Sequence, residues 1–249
     1  MSALLSEAFV ADMPPAPGPA APALAVMLRV PGCEPVKTRL HASLGRDAAT
    51  LFYRCLLLDT LGVAARVPGV VPVAAYSPAG AGRAMAGLAP AGMRCVAQRG
   101  GDLGARMANL VADLLAAGYP AAVIVGSDLP TVPVGHLAEA ARCLAEGAAD
   151  LVLGPAEDGG YYLIGLRRPA PALFSDVAWG TAAVFEVTLA RARALGLRVH
   201  LLPPWHDVDT AEDLARLRRD LADAGADRTG AWRTRRWLEA FAPHPNPLP

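Results

Sequence analysis

The chain has 249 residues, 53% of them apolar, with 23 Lys and Arg balanced by 23 Asp and Glu. A formal charge of zero excludes a global field for nucleic acid or an anionic membrane, so any anion must be held locally. No uninterrupted apolar run approaches the roughly 18 residues that span a bilayer, and the start lacks a signal peptide's basic and apolar segments, so a cytoplasmic protein without a membrane span is expected.

The length suits one large α/β domain or two small ones, and no convincing second domain is found. Cys33, Cys55, Cys95 and Cys143 show no pair at zinc-ligand or redox-motif spacing, so free thiols are expected. Residues 1–22 contain PPAPGPAAP, which lacks periodic apolar positions, and read as a disordered lead-in. The folded domain is expected over 23–222, with 223–249 forming a terminal helix and a disordered HPNPLP tail.

Residues 23–30 (ALAVMLRV) read as the first strand, and PGCEPVKTRL as a loop passing into a helix at Thr38. Arg29, Lys37 and Arg39 cluster beside the free N–H groups of that helix start. Solvated surface cations are one reading; the bounding glycine and prolines favour a phosphate cradle. Residues 48–67 carry Leu51, Phe52, Cys55, Leu58 and Leu61 at helical spacing, predicting a helix packed on the sheet. Strands follow at 70–75 and 93–97, with a weak helix at 80–88 between them. The third strand runs into Gln98, Arg99, Gly100 and Gly101 before a helix at 105–116. Glycines there let backbone approach a flat ligand, and the Gln98 amide offers a donor and an acceptor to a base edge. An ordinary strand-to-helix turn is the alternative.

The segment 121–130, AAVIVGSDLP, reads as a strand buried on both faces that ends abruptly at Asp128. In open α/β sheets ligands bind at that strand edge, and a carboxylate beside an apolar interior needs a cationic partner. Asp128 is therefore either a metal ligand or the cap of the next helix, which Thr131 and Pro133 open and which runs to 146. A strand at 150–155 leads into AEDGGYYLIGL, a hairpin turning on Gly159 and Gly160 with Asp158 beside a backbone-floored cleft; a plain surface hairpin is the alternative. Leu173 and Phe174 are expected to tuck under the sheet, and Thr181 to cap a helix at 182–195. A strand at 197–202 ends in PPWHDVDT. Thr210 and Asp213 form a variant capping box for a helix to 222, leaving Asp207 and Asp209 upstream where either can face a cation held by Asp128. His206 reads as structural. Arg233, Arg235 and Arg236 with Trp232 and Trp237 form a short amphipathic helix, and nothing else in the chain is basic enough for a nucleic-acid reading.

Strands alternating with helices predict a mainly parallel sheet with one antiparallel element at the glycine-rich hairpin. In that order the segments VKTRL, GDLGARM, GSDLP, GPAEDGGYYLIGL, WGT and DVDTAEDL resemble the glycosyltransferase-A-like family DUF2064, some members of which are described as arsenosugar-biosynthesis-type glycosyltransferases. The resemblance covers about 23–221 and implies a three-layer α/β nucleotide-diphospho-sugar transferase fold. It implies that Asp128 and Asp209 hold Mg²⁺ or Mn²⁺, that Lys37 and Arg39 with Arg29 contact phosphate, and that Gln98 and Gly101 face the base. Asp158, Gly159, Gly160, Tyr161 and Thr181 would lie on the acceptor or sugar side, with Asp158 as general base. The loop before VKTRL departs from the family pattern: Glu34 adds a negative charge and Pro35 removes an amide donor. The function implied is glycosyl transfer from a nucleotide sugar to a small acceptor. The alternatives are nucleotidyl transfer from a nucleoside triphosphate and, third, nucleotide binding without catalysis.

Overall fold

A computed structural model describes residues 21–223 and 230–241. The expected lead-in lies outside these residues apart from its last two, as does the HPNPLP tail. Among the described residues, seven strands form one sheet: β1 (Ala23–Arg29), β2 (Val71–Ser77), β3 (Arg94–Ala97), β4 (Ala122–Val125), β5 (Leu151–Pro155), β6 (Tyr161–Leu166) and β7 (Val199–Leu201). Their order is β3-β2-β1-β4-β6-β5-β7, and only β6 runs antiparallel to its neighbours, β4 and β5. The hairpin's short turn dictates that reversal, because two strands joined so closely cannot run parallel.

Alternation along the central strands supplies two apolar faces. Leu24, Val26 and Leu28 of β1, with Val123 and Val125 of β4, meet α1 (Arg46–Ala65); Ala23, Ala25, Ala122 and Ile124 meet α2 (Leu103–Ala116). Helix α3 (Val134–Ala145) joins α1 on the first face, and α4 (Val184–Ala194) joins α2 on the second. Helices on both faces of a mainly parallel sheet make the expected three layers. Leu173 and Phe174 are buried in the second face, as expected.

Helix α1 is apolar on two sides. Tyr53, Leu57 and Leu61 face the sheet, whereas Phe52 and Leu56 face outward onto α5 (Ala211–Asp223) and α6 (Trp232–Ala240). This double burial corrects the single sheet-facing stripe read from the sequence: Phe52 packs away from the sheet, against Trp237 at 4.8 Å, and Leu51 is 54% exposed. It also explains why α1, alone among the described helices, is long and apolar enough to cross a membrane by length and composition; over half of its apolar window is buried inside the fold.

The fully buried Asp59 carboxylate pins α6 to α1. It accepts from Thr234 N–H and Oγ1, both at 2.8 Å, and from Arg233 Nη1 at 3.2 Å. The terminal helix thus ends a hydrogen-bonded bracket on the far side of α1.

Candidate active site

Strands β1 and β4 are parallel neighbours, but the chain leaves β1 for β2 on one side and returns to β4 on the other. The connections diverge there, so the C-terminal strand ends open into a crevice at the topological switch point. Asp128 lies just past the end of β4 and Lys37 on the loop after β1. Helix α1 holds both loops. Tyr53 Oη donates to Arg29 O and accepts from Arg29 N–H, each at 3.1 Å, and shares a 2.9 Å hydrogen bond with Ser127 Oγ. Burial pushes the Tyr53 phenol up to about 12, keeping it neutral. Two turns along α1, Thr60 Oγ1 donates to Leu56 O at 2.9 Å and accepts from Leu129 N–H at 3.1 Å. Asp128 is thereby gripped on both sides.

The third part of the crevice comes from the segment before α5. Asp213 Oδ2 accepts from Asp209 N–H at 3.0 Å and Thr210 N–H at 2.8 Å, while Thr210 Oγ1 accepts from Asp213 N–H at 3.2 Å. This is the expected capping box, and it fixes the backbone that carries Asp209.

Carboxylate oxygens of Asp128, Asp207 and Asp209 all lie within 4.8 Å of one another. Lys37, in the left-handed region at φ 48°, places its ammonium among them. It contacts Asp128 Oδ2 and stands 2.6 Å from Asp209 Oδ1, with its side chain only 3% exposed. Burial alone would lower the lysine pKa, but Asp128 and Asp209 outweigh it and hold the group above the ordinary range. Burial, reinforced by the charges of Asp128 and Asp209, pushes the Asp207 carboxyl up to about 7. Three convergent carboxylates are hard oxygen donors, and that donor set fits Mg²⁺ or Mn²⁺.

Two clefts meet at this cluster. One, of about 580 Å³, is lined by Arg29, Lys37, Arg39, Gln98, Gly101 and Arg106, together with Asp128 and Asp209. The second, of about 460 Å³, is lined by Asp158, Gly160, Tyr161, Trp179 and Thr181, and again by Arg29, Asp128 and Asp209. Apart from Arg29, which lines both, and Gly159, which lines neither, the residues expected to contact nucleotide and those expected on the acceptor side fall in different hollows that share the acidic pair.

Some side chains are committed differently from their sequence reading. Both Gln98 amide hydrogens go to backbone, donating to Leu28 O at 3.0 Å and Ala75 O at 2.7 Å, so the amide ties β1 to β2 with its donors already used. Gly159 lines neither cleft. At φ +87° it turns the hairpin, and a Cβ there would stand 2.3 Å from Ala182 O, so close packing on the α4 approach demands glycine. Thr181 is not the α4 cap, contrary to expectation. The cap position is Ala183, and Thr181 Oγ1 donates to Ala178 O at 2.8 Å, because the chain makes one more turn before the helix begins. Asp158 Oδ1 accepts from Gly160 N–H at 2.8 Å, and the side chain is exposed at the cleft. Glu34 accepts from Ser77 Oγ at 2.6 Å, and Pro35 O accepts from Arg29 Nη1 at 3.1 Å, so the unusual loop is latched to β1 and β2.

Sequence reasoning missed Tyr53, Ser127 and Thr60, and it left Asp207 outside the metal pair. A signal for Asp207 was present: with Asp209 it forms an i, i+2 pair, which in extended chain projects to one side.

The sheet order and the crevice define the class: this is a nucleotide-diphospho-sugar transferase fold. A crystal structure of a candidate nucleotide-diphospho-sugar transferase from Desulfovibrio desulfuricans G20 is 35% identical, with 88% of this chain and 95% of that one covered at a TM-score of 0.77. The chain belongs to DUF2064, described as an uncharacterized protein conserved in bacteria, whose model matches residues 60–181. The fold is shared more widely. CMP:2-keto-3-deoxy-manno-octonic acid synthetase, solved with CTP, is 12% identical at a TM-score of 0.54, covering 82% of this chain and 99% of that one. The 4-diphosphocytidyl-2C-methyl-D-erythritol synthase from Anaerococcus prevotii DSM 20548 is 9% identical at 0.54, covering 81% and 96%. No curated protein matches the chain in sequence.

Proposed function

We propose that this protein is a metal-dependent transferase that moves a glycosyl group from a nucleotide sugar to a small acceptor. The observation that carries the proposal is the convergence of Asp128, Asp207 and Asp209 at the junction of two clefts. The 35% identical relative, a candidate nucleotide-diphospho-sugar transferase, supports the donor class.

Asp128 and Asp209, with Asp207 beside them, would hold Mg²⁺ or Mn²⁺. When bound, the cation neutralises charge on the diphosphate that departs. Arg29 and Arg39 line the cleft on the nucleotide side and supply fixed positive charge for the phosphates. Lys37 is the internal counter-ion of Asp128 and Asp209. Its ammonium lines the same cleft and adds to the fixed positive charge there.

On the other side, Asp158 takes the proton of the acceptor hydroxyl as its oxygen bonds to the anomeric carbon and the bond from that carbon to the diphosphate breaks. One Asp158 oxygen is held by Gly160 N–H, which orients the carboxylate and leaves the second oxygen for the proton. Tyr161 and Trp179, edge to face at 6.3 Å, wall this cleft and give a sugar ring an aromatic surface to lie on.

Product analysis tests the reading. Incubation with Mn²⁺, nucleotide sugars and acceptor candidates is expected to release nucleoside diphosphate, and Asp128→Asn to abolish Mn²⁺-dependent nucleotide binding by calorimetry. Pyrophosphate release from a nucleoside triphosphate would instead assign nucleotidyl transfer on the same acidic site. Unchanged nucleotide affinity in Asp128→Asn would remove the metal from the scheme.

A further inference from the structure

A second group of metal-type donors lies on the first helical layer, with residues unrelated to the acidic crevice. Glu139 and Cys143 are one turn apart on α3, and His200 is the middle residue of β7, one of the two edge strands among those described. One carboxylate oxygen, the thiol sulfur and one ring nitrogen all lie within 4.8 Å of one another, with His200 Nε2 2.8 Å from Glu139 Oε1.

The donor types differ from those at Asp128. A thiol and an imidazole are softer ligands than carboxylates and select zinc-like ions over Mg²⁺ or Mn²⁺. The i, i+4 spacing puts the Glu139 and Cys143 side chains on one helix face, and β7 brings the third ligand across to it. Cys143 is 5% exposed and packed in the core, so it provides a fixed, nearly dry base to the site. Glu139 and His200 are each more than a third exposed, which leaves the outer side open to a water as fourth ligand.

We propose that Glu139, Cys143 and His200 bind one zinc ion, which clips β7 to α3. Binding releases the Cys143 thiol proton to solvent and leaves His200 neutral. The consequence is local rigidity where the fold needs it. Strand β7 has three residues and, among the described strands, pairs only with β5, yet seven residues beyond His200 the chain must deliver Asp207 to the crevice. Beyond β7, Leu202 N–H and Trp205 N–H still bond to Leu153 O and Pro155 O, so a clip at His200 adds a side-chain anchor on α3 to a strand end held only through β5.

The proposal is independent of the transferase reading and is tested on the full-length protein with Co²⁺ as a spectroscopic substitute for Zn²⁺. One equivalent of Co²⁺ is expected to produce an intense thiolate-to-metal charge-transfer band and tetrahedral d–d bands, both removed by added Zn²⁺. Cys143→Ser should eliminate the charge-transfer band and His200→Ala should lower Co²⁺ affinity at least about tenfold. Asp128→Asn should leave the spectrum intact. A weak octahedral spectrum in the unmodified protein, or a charge-transfer band that survives Cys143→Ser, would overturn the assignment. If Cys143→Ser folds poorly, loss of the band in His200→Ala at unchanged circular dichroism carries the test.

Discussion

Replacing Lys37 with methionine keeps the stem and removes the ammonium from the centre of the acidic cluster. The charge lies 2.6 Å from Asp209 Oδ1, which at an effective dielectric near 20 corresponds to a raw attraction of about 6 kcal/mol. Burying the ammonium cancels part of that attraction, and Asp209 is 42% exposed and screened by water, so the net term is smaller. Removal also strands three carboxylates within 4.8 Å of one another. Breaking such a pair from one side costs about 3 kcal/mol at the exposed end of the range, or roughly 6 to 12 °C in melting temperature for a protein of this size. A bound divalent cation supplies the missing charge, contributing about 4 kcal/mol at a thousandfold excess over its dissociation constant. Thermal unfolding in EDTA should therefore show Lys37→Met well below the unmodified protein, and saturating Mn²⁺ should raise its melting temperature by more than it raises the unmodified protein's. Equal melting temperatures in EDTA together with equal Mn²⁺ shifts would refute the placement of Lys37 as counter-ion to the metal ligands.

Asp158→Asn preserves the hydrogen bond from Gly160 N–H but cannot take a proton, so turnover should fall by about 10² to 10⁴ while calorimetric nucleotide affinity stays constant; lost affinity would move Asp158 to the donor side. Asp207, raised to about 7 in the fold, holds its proton between its unfolded value and neutrality. The folded state then binds more protons than the unfolded one, so this residue's contribution makes metal-free stability fall as pH rises from about 4 to 7. Asp207→Asn should flatten that decline and weaken Mn²⁺ binding, as melting curves across pH and a Mn²⁺ titration will show; an unaltered pH profile would count against the assignment. Thr60→Val removes the acceptor for the buried Leu129 N–H and should cost about 1 to 3 kcal/mol in denaturant unfolding, with weaker Mn²⁺ binding because Asp128 is the preceding residue. Stability and Mn²⁺ affinity both unchanged would show that Thr60 does not position the loop.

What could be read from the chain alone were the features with short-range causes. Apolar runs such as the AVIV of β4, the Gly159 turn that reverses β6, and the Thr210–Asp213 box each depend on neighbours a few residues away. For that reason the strands, the antiparallel element and the start of α5 follow the sequence expectation closely. Asp128 and Asp209 also stood out, since an acid at a strand's C-terminal edge or before a helix is a local pattern, and the folded chain brings their carboxylates together around Lys37.

Tertiary structure alone decided which partners those groups meet. Periodicity shows that α1 is apolar but does not say that Phe52 and Leu56 pack under α5 and α6, because α6 lies about 180 residues away along the chain. Nor does it say that Tyr53 and Thr60 steady the Asp128 loop, or that a buried Asp59 accepts from Thr234. The same holds for Cys143, whose spacing from every other cysteine suggested an isolated thiol, until the sheet order set β7 beside α3 and brought His200 to it. Pattern fixes the direction a side chain takes from its own backbone; the arrangement of layers determines what is waiting there, since that depends on contacts closed over long stretches of chain.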